Sequence, residues 1–137
     1  MDIRLAVPND IRHITRYDSH IPTDRVAESV DRGFVYVLCS GETVVGILRY
    51  SLFWQTIPFL DLILIDDAFR NQGWGSKMMA GWETAMKALG YDHVMLSTQA
   101  DEHAFLFYEK LGYRRIGSFL PPEQEAEELM YLKKLGE

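Results

Sequence analysis

The run Ile57-Pro58-Phe59-Leu60-Asp61-Leu62-Ile63-Leu64-Ile65 constrains the fold more than any other stretch. From Phe59 to Ile65 it is apolar at odd and even positions alike, with Asp61 the sole exception. Successive residues of a strand point to opposite faces. Such a strand must therefore be covered on both sides and belongs in the middle of a sheet. Its nine residues, which include a proline and an aspartate, are far too few to cross a membrane. Beyond it the pattern changes period. From Gly75 to Leu89, the residues Met78, Met79, Trp82, Ala85, Met86 and Leu89 recur at three- and four-residue spacing, and Gly90 follows. That is one face of an amphipathic helix with a glycine stop, and its methionine stripe reads as core.

The other segments group around this strand–turn–helix unit. Ile3–Val7 reads as a short strand, and Asn9 can cap a helix running to about Tyr17. Thr23 can cap a second helix that buries Val26, Ala27 and Val30, with Gly33 as its stop. FVYVLCS and TVVGILRYSLFW form a hairpin turned at Gly41-Glu42. HVMLST is a strand, Asp101 to Leu111 a helix stopped by Gly112, and YRRIGSF and ELMYLKKL are two more strands. Between those two, PPEQEAEE is a solvated turn. The order predicts an α+β, or mixed α/β, domain covering residues 1–137. Its single central sheet has about six to seven mostly antiparallel strands flanked by about four helices.

Composition narrows the function classes. Fourteen basic against twenty acidic residues give a net charge of −6, which argues against binding nucleic acid through its phosphates. Hydrophobic residues make up 47% of the chain, enough for a packed core without a disulfide or a metal. The one cysteine, Cys39, lies in an apolar run and reads as buried. The N-terminal residues lack the basic-then-apolar layout of a signal peptide, so a reducing, cytoplasmic compartment is expected.

The candidate chemistry begins at Arg70-Asn71-Gln72-Gly73-Trp74-Gly75-Ser76, between the buried strand and the amphipathic helix. Glycines let the backbone turn tightly with its N–H groups outward, and the first helical turn adds unpaired donors. Together these suit a pyrophosphate. Arg70 and Lys77 can add full positive charge. A P-loop fails because Ser76 separates Gly75 from Lys77, and a dinucleotide fingerprint fails at Met78. A turn that only joins strand to helix is the plainer alternative.

LILIDDAFRNQGWGS resembles the acetyl-CoA motif of the GNAT superfamily of N-acetyltransferases, whose Arg/Gln-x-x-Gly-x-Gly/Ala core is matched by Arg70, Gly73 and Gly75. AFLFYEKLGY resembles the family's later helix, which carries a tyrosine and is followed by Gly and an aromatic residue. The resemblance runs from about Phe59 to Tyr113. It implies acetyl-CoA as co-substrate, with the pantetheine arm on the backbone of Ile63, Leu64 and Ile65. It also implies the pyrophosphate on the N–H groups of Asn71, Gln72, Gly73, Trp74, Gly75 and Ser76. Tyr108 maps to the tyrosine that protonates the departing thiolate. Three positions depart from the family's habit: Asp67 stands for Pro, Asn71 for the first Gly, and Asp101 for an Asn that contacts the cofactor. An aspartate at 101 keeps an acceptor but loses the amide donor. Asparagine at 71 tolerates left-handed backbone.

The acceptor amine must lose a proton before it attacks. Asp61 stands where many members carry an acidic residue, so it is the candidate base. A structural aspartate holding a cation is the alternative. The acceptor pocket is expected around Tyr17, His20, Phe53 and Trp54, whose rings suit a cation or an apolar substituent. Phe53 and Trp54 also read as core or dimer-contact residues, so a homodimer is compatible with the sequence. His13, His93 and His103 read as surface or satisfied histidines. The resemblance thus implies an N-acetyltransferase acting on a small-molecule or protein amine by direct attack in a ternary complex. The alternative is a non-catalytic CoA-binding sensor. No metal, nucleic-acid or membrane partner is expected.

Overall fold

The computed structural model describes residues 1–136. Glu137, the last residue of the expected domain, lies outside them. Seven strands form: β1 (Asp2–Leu5), β2 (Val35–Ser40), β3 (Thr43–Phe53), β4 (Ile57–Ile65), β5 (His93–Gln99), β6 (Arg114–Phe119) and β7 (Glu128–Lys134). Four α-helices accompany them: α1 (Ile11–Tyr17), α2 (Thr23–Asp31), α3 (Trp74–Ala88) and α4 (Ala104–Lys110). The hydrogen-bonded order is β1-β2-β3-β4-β5-β7-β6. β4 and β5 pair in parallel, while β1–β2, β2–β3, β5–β7 and β6–β7 are antiparallel. This is the mixed α/β, largely antiparallel fold the sequence predicts, with the apolar run as a central strand. Among the described residues no helix is long and apolar enough to cross a membrane.

The chain divides into two compact units. The first holds Met1–Ser51 and Asp61–Trp82. Its core gathers Ile14, Val26 and Val30 from α1 and α2 against Val35, Val37 and Cys39 of β2 and Val44 and Ile47 of β3. Leu62 and Leu64 pack against the same cluster. Alternation explains the set: every second residue of β2 faces the helices. Gly46 is required by close approach rather than by a turn. A Cβ there would meet the Leu64 carbonyl oxygen at 3.1 Å and Leu38 Cβ at 3.3 Å. Met78, Met79 and Trp82 of α3 are fully buried, so the methionine stripe is core, and the Trp82 ring lies 5.7 Å from that of Tyr50.

The second unit holds Leu52–Leu60 and the described chain from Glu83 onward. Here β7 lies between β5 and β6, with Leu96↔Tyr131 and Arg115↔Tyr131 as partners. Lys133 reaches Glu83 at 2.7 Å, and the Tyr131 hydroxyl donates to Glu109 at 2.7 Å, tying the sheet to α3 and α4.

Several local expectations are corrected. Asn9 does not cap α1: residues 8–10 form a 3₁₀ turn, and Asp10 stands at the helix start. Thr23 is the first residue of α2, behind Pro22, and provides no side-chain cap. Leu89 is exposed because α3 ends at Ala88 and the chain turns into Gly90 at φ 98°. α4 begins at Ala104, so Asp101 precedes the helix. Trp54 leaves the strand and enters a tight turn.

Candidate functional site

Within the second unit β4 pairs with β5 at Phe59↔Met95 and Leu60↔Leu96, and β4 runs on to Ile65. Ile63, Leu64 and Ile65 form the half-buried end of β4. β4 ends in a brace: the Arg70 Nε donates to the Ile65 carbonyl at 2.8 Å, and its Nη1 pairs with Asp67 at 2.7 Å. Arg70 thus holds the turn against the strand end, with part of its charge already offset. Gln72 adds a bond from its amide to the Ala68 carbonyl at 3.0 Å.

The turn itself needs two left-handed residues, Asn71 at φ 59° and Gly73 at φ 86°. A Cβ on Gly73 would meet nothing within 4 Å, so the glycine serves backbone conformation and open space. The Lys77 N–H bonds to the Gly73 carbonyl at 3.1 Å. The N–H groups of Trp74, Gly75 and Ser76 therefore precede the helical ladder, at the positive end of a 15-residue helix. Gly73 is exposed and Gly75 and Ser76 are half-buried, so these donors are reachable. The Lys77 ammonium lies 4.4 Å from the Trp74 ring centre. The arrangement suits a pyrophosphate group, as the donor chemistry requires.

Asp61 keeps 23% of its side chain exposed, and its Oδ2 accepts from Arg49 Nη1 at 3.3 Å. Burial raises its proton affinity, while Ser51 and the Arg49 guanidinium lower it and Asp18 raises it further. The net direction is upward from the ordinary carboxylate value. Both readings of Asp61 thus have a physical basis, since it holds a cation and also binds a proton more readily than a surface aspartate. Arg49 and Asp18 are the residues the sequence reading missed. A lone arginine within the apolar strand ILRYSLF was the available signal, because a buried cation needs a carboxylate.

Of the other expected pocket residues in this unit, Tyr17 is engaged. Its hydroxyl donates to the Val44 carbonyl at 3.0 Å, and burial with nearby Asp66 pushes its pKa up to about 12. His20 is exposed, with Nδ1 3.6 Å from Asp18.

In the second unit, Phe53 contacts the rings of Trp54 at 4.9 Å and Phe59 at 6.1 Å. Trp54 is 79% exposed, so it is not a core residue. Asp101 is exposed in the turn before α4. Tyr108 is buried, its ring edge-on to Phe107 at 5.1 Å and Tyr113 at 6.0 Å. Desolvation pushes its pKa up to about 12, so the phenol is neutral at physiological pH. Among the described residues, its hydroxyl has no hydrogen-bond partner.

Comparison with known proteins follows the same lines. Solved structures share the fold over nearly the whole chain. Ard1 from Thermoplasma volcanium is 22% identical with a TM-score of 0.86, covering 99% of this chain and 98% of its own. The ribosomal-protein-S18-alanine N-acetyltransferase from Escherichia coli is 15% identical with a TM-score of 0.79, covering 99% and 94%. The yncA protein of Salmonella typhimurium, solved with its cofactor acetyl-CoA, is 17% identical with a TM-score of 0.81, covering 99% and 94%. A sequence comparison with curated proteins finds no match. The profile of the Acetyltransferase (GNAT) family matches residues 5–113, which take in the glycine turn, Asp61 and Tyr108, and the chain belongs to that family.

Proposed function

We propose that this chain, as one domain over residues 1–137, is an acetyl-CoA-dependent N-acetyltransferase acting by direct attack of an amine in a ternary complex. The observation that carries the reading is the braced end of β4. The end of β4 leads into a turn held open by Asn71 and Gly73, and N–H groups that precede the helical ladder follow at the start of α3. Acetyl-CoA supplies an acyl group activated as a thioester. Ile63 to Ile65 offer backbone groups to the pantetheine amides, and Asn71 to Ser76 offer N–H donors to the pyrophosphate. Asp101 provides an acceptor close to the start of α4.

Asp61 takes the proton that the ammonium must lose, directly or through water, and its raised proton affinity suits that task. Tyr108, neutral and with an uncommitted hydroxyl, donates to the thiolate as charge develops. Cys39 is buried, so no thiol nucleophile supports an acetyl-enzyme. Tyr17 and His20 of the first unit and Phe53 and Trp54 of the second are the candidate acceptor residues in this reading. The Escherichia coli protein is named for N-acetylation of a ribosomal-protein alanine, which makes peptide α-amines the first acceptors to try. A lone thiol also suits a reducing, cytoplasmic compartment. The test is release of free CoA from acetyl-CoA across peptides, polyamines, amino acids and aminoglycosides. Turnover with one class supports the enzyme and names its acceptor. Tight acetyl-CoA binding with no turnover across the panel leaves the non-catalytic sensor.

A further inference from the structure

Arg49 and Asp18 are among the few charged residues buried in the chain, 8% and 1% exposed. Their geometry is a fork. Arg49 Nε donates to Asp18 Oδ2 at 2.5 Å, Nη2 to Asp18 Oδ1 at 3.5 Å, and Nη1 to Asp61 Oδ2 at 3.3 Å. One guanidinium therefore serves two carboxylates that approach it from different elements. Asp18 follows the last residue of α1, while Asp61 is on β4. Asp18 has the shorter contacts and is fully enclosed, so it fixes the plane of the guanidinium. Asp61 receives the remaining N–H and is the end of the array that meets solvent.

We propose that Asp18 and Arg49 are positioning residues for Asp61: Asp18 locks the guanidinium, and the guanidinium holds one Asp61 oxygen at a fixed place on the edge of β4. This rests on the reading of Asp61 as the base. The fork requires arginine, because three N–H groups in one plane reach two carboxylates, whereas a lysine ammonium is a point donor on a flexible stem. The charge count has a functional consequence. Two carboxylates share one cation, so Asp61 is less fully neutralised than it would be in a simple pair. The groups that face it are Arg49 and Ser51 from β3 and Asp18 from the end of α1. His20 touches the array only at its far end, through Asp18.

The direction of each perturbation follows. Asp18→Asn preserves shape and removes the competing charge, so Arg49 acts on Asp61 alone and Asp61 ionises at lower pH. A base must be deprotonated, so the acidic limb of kcat/KM moves to lower pH as well. Arg49→Lys keeps a charge but loses the fork, so kcat falls while the KM for acetyl-CoA stays parental. The experiment is kcat/KM against pH for the parent, D18N, R49K and D61N, with thermal melts. A carbon-13 titration of the Asp61 carboxyl, which needs no turnover, accompanies it. Coincident downward movement of the limb and the carboxyl titration in D18N supports the array. An unmoved carboxyl titration in folded D18N overturns it. If D61N instead has the parental rate and profile, the base reading fails, and the carboxyl titration alone still decides whether the array holds Asp61. Should R49K not fold, D18N carries the test.

Discussion

The Tyr108 hydroxyl can be removed without disturbing its ring. The edge-on contacts to Phe107 and Tyr113 survive in Tyr108→Phe, and no hydrogen bond within the described residues is lost. We expect the melting temperature and acetyl-CoA affinity to stay close to parental, with turnover down on the order of 10²–10⁴-fold for loss of a general acid. Single-turnover kinetics is the deciding measurement, since slow product release can mask a chemical defect. A parental single-turnover rate would leave water as the proton donor. Residues at this scale were unevenly legible. The turn at Asn71 and Gly73 is readable because its backbone depends on local sequence order, whereas the roles proposed for Tyr108 and Asp61 come from the family resemblance. Asp18 and Arg49 lie 31 positions apart and meet only through the packing of α1 beside β3. No local pattern announces such a partnership, although an arginine inside an apolar strand signals that one exists.

Elements follow the same division. Apolar runs and helical periodicity place β4 and α3 to within two residues, because burial dominates their stability. Helix starts and turns were misread where a long-range or strained interaction replaces the local cap. At the start of α1, Asp10 accepts from Val7 N–H at 2.8 Å and takes both Arg4 Nη groups, at 2.8 and 3.1 Å. The Arg4 bonds are the largest effect; they outweigh burial and, helped by the Val7 N–H, hold its carboxyl below the usual value. A depressed folded value means that the stabilisation is present above the unfolded carboxylate range. It is lost as pH falls through the folded value. Asp10→Asn should therefore cost about 1 kcal/mol near pH 7, Arg4 being half exposed, with the gap to the parent closing below about pH 4. Urea unfolding at pH 7 and pH 3 checks both the size and the sign. The β3–β4 turn is the opposite case. Trp54 and Gln55 are consecutive left-handed residues at φ 53° and 61°, as in a type I′ turn, with neither Asn nor Gly to mark it. Replacing the pair by Asn-Gly should raise stability by about 1–2 kcal/mol by relieving backbone strain. If Trp54 faces the acceptor, the same variant raises acceptor KM and leaves acetyl-CoA affinity unchanged. An unchanged acceptor KM would remove Trp54 from the pocket.

For the whole molecule, chain order conveys the fold class but not that β7 inserts between β5 and β6, which only the strand order of the sheet reveals. Nor does the net charge of −6 predict that an anionic ligand should bind. In the proposed reading the attraction is local, from N–H groups and a helix terminus that carry no formal charge. That locality makes ligand-linked stability the sharpest global test. A ligand present at 100 times its dissociation constant stabilises the folded state by about 2.7 kcal/mol, which for a domain of this size is roughly 10 °C in melting temperature. Acetyl-CoA should produce a shift of this order. Gly73→Val should abolish it, because valine resists the left-handed backbone at φ 86° and projects a branched side chain from the turn where the pyrophosphate is expected. The added carbon meets no protein atom within 4 Å, so packing survives and the variant remains folded enough to melt cooperatively. Gly81→Ala, on the exposed face of α3 with equally open surroundings, is the matched control. It should gain about 1 kcal/mol from helix propensity and keep the full ligand shift. Loss of the shift in both variants would point to α3 as a whole rather than to the turn. A parental protein whose melting temperature ignores millimolar acetyl-CoA would remove the turn from ligand binding altogether.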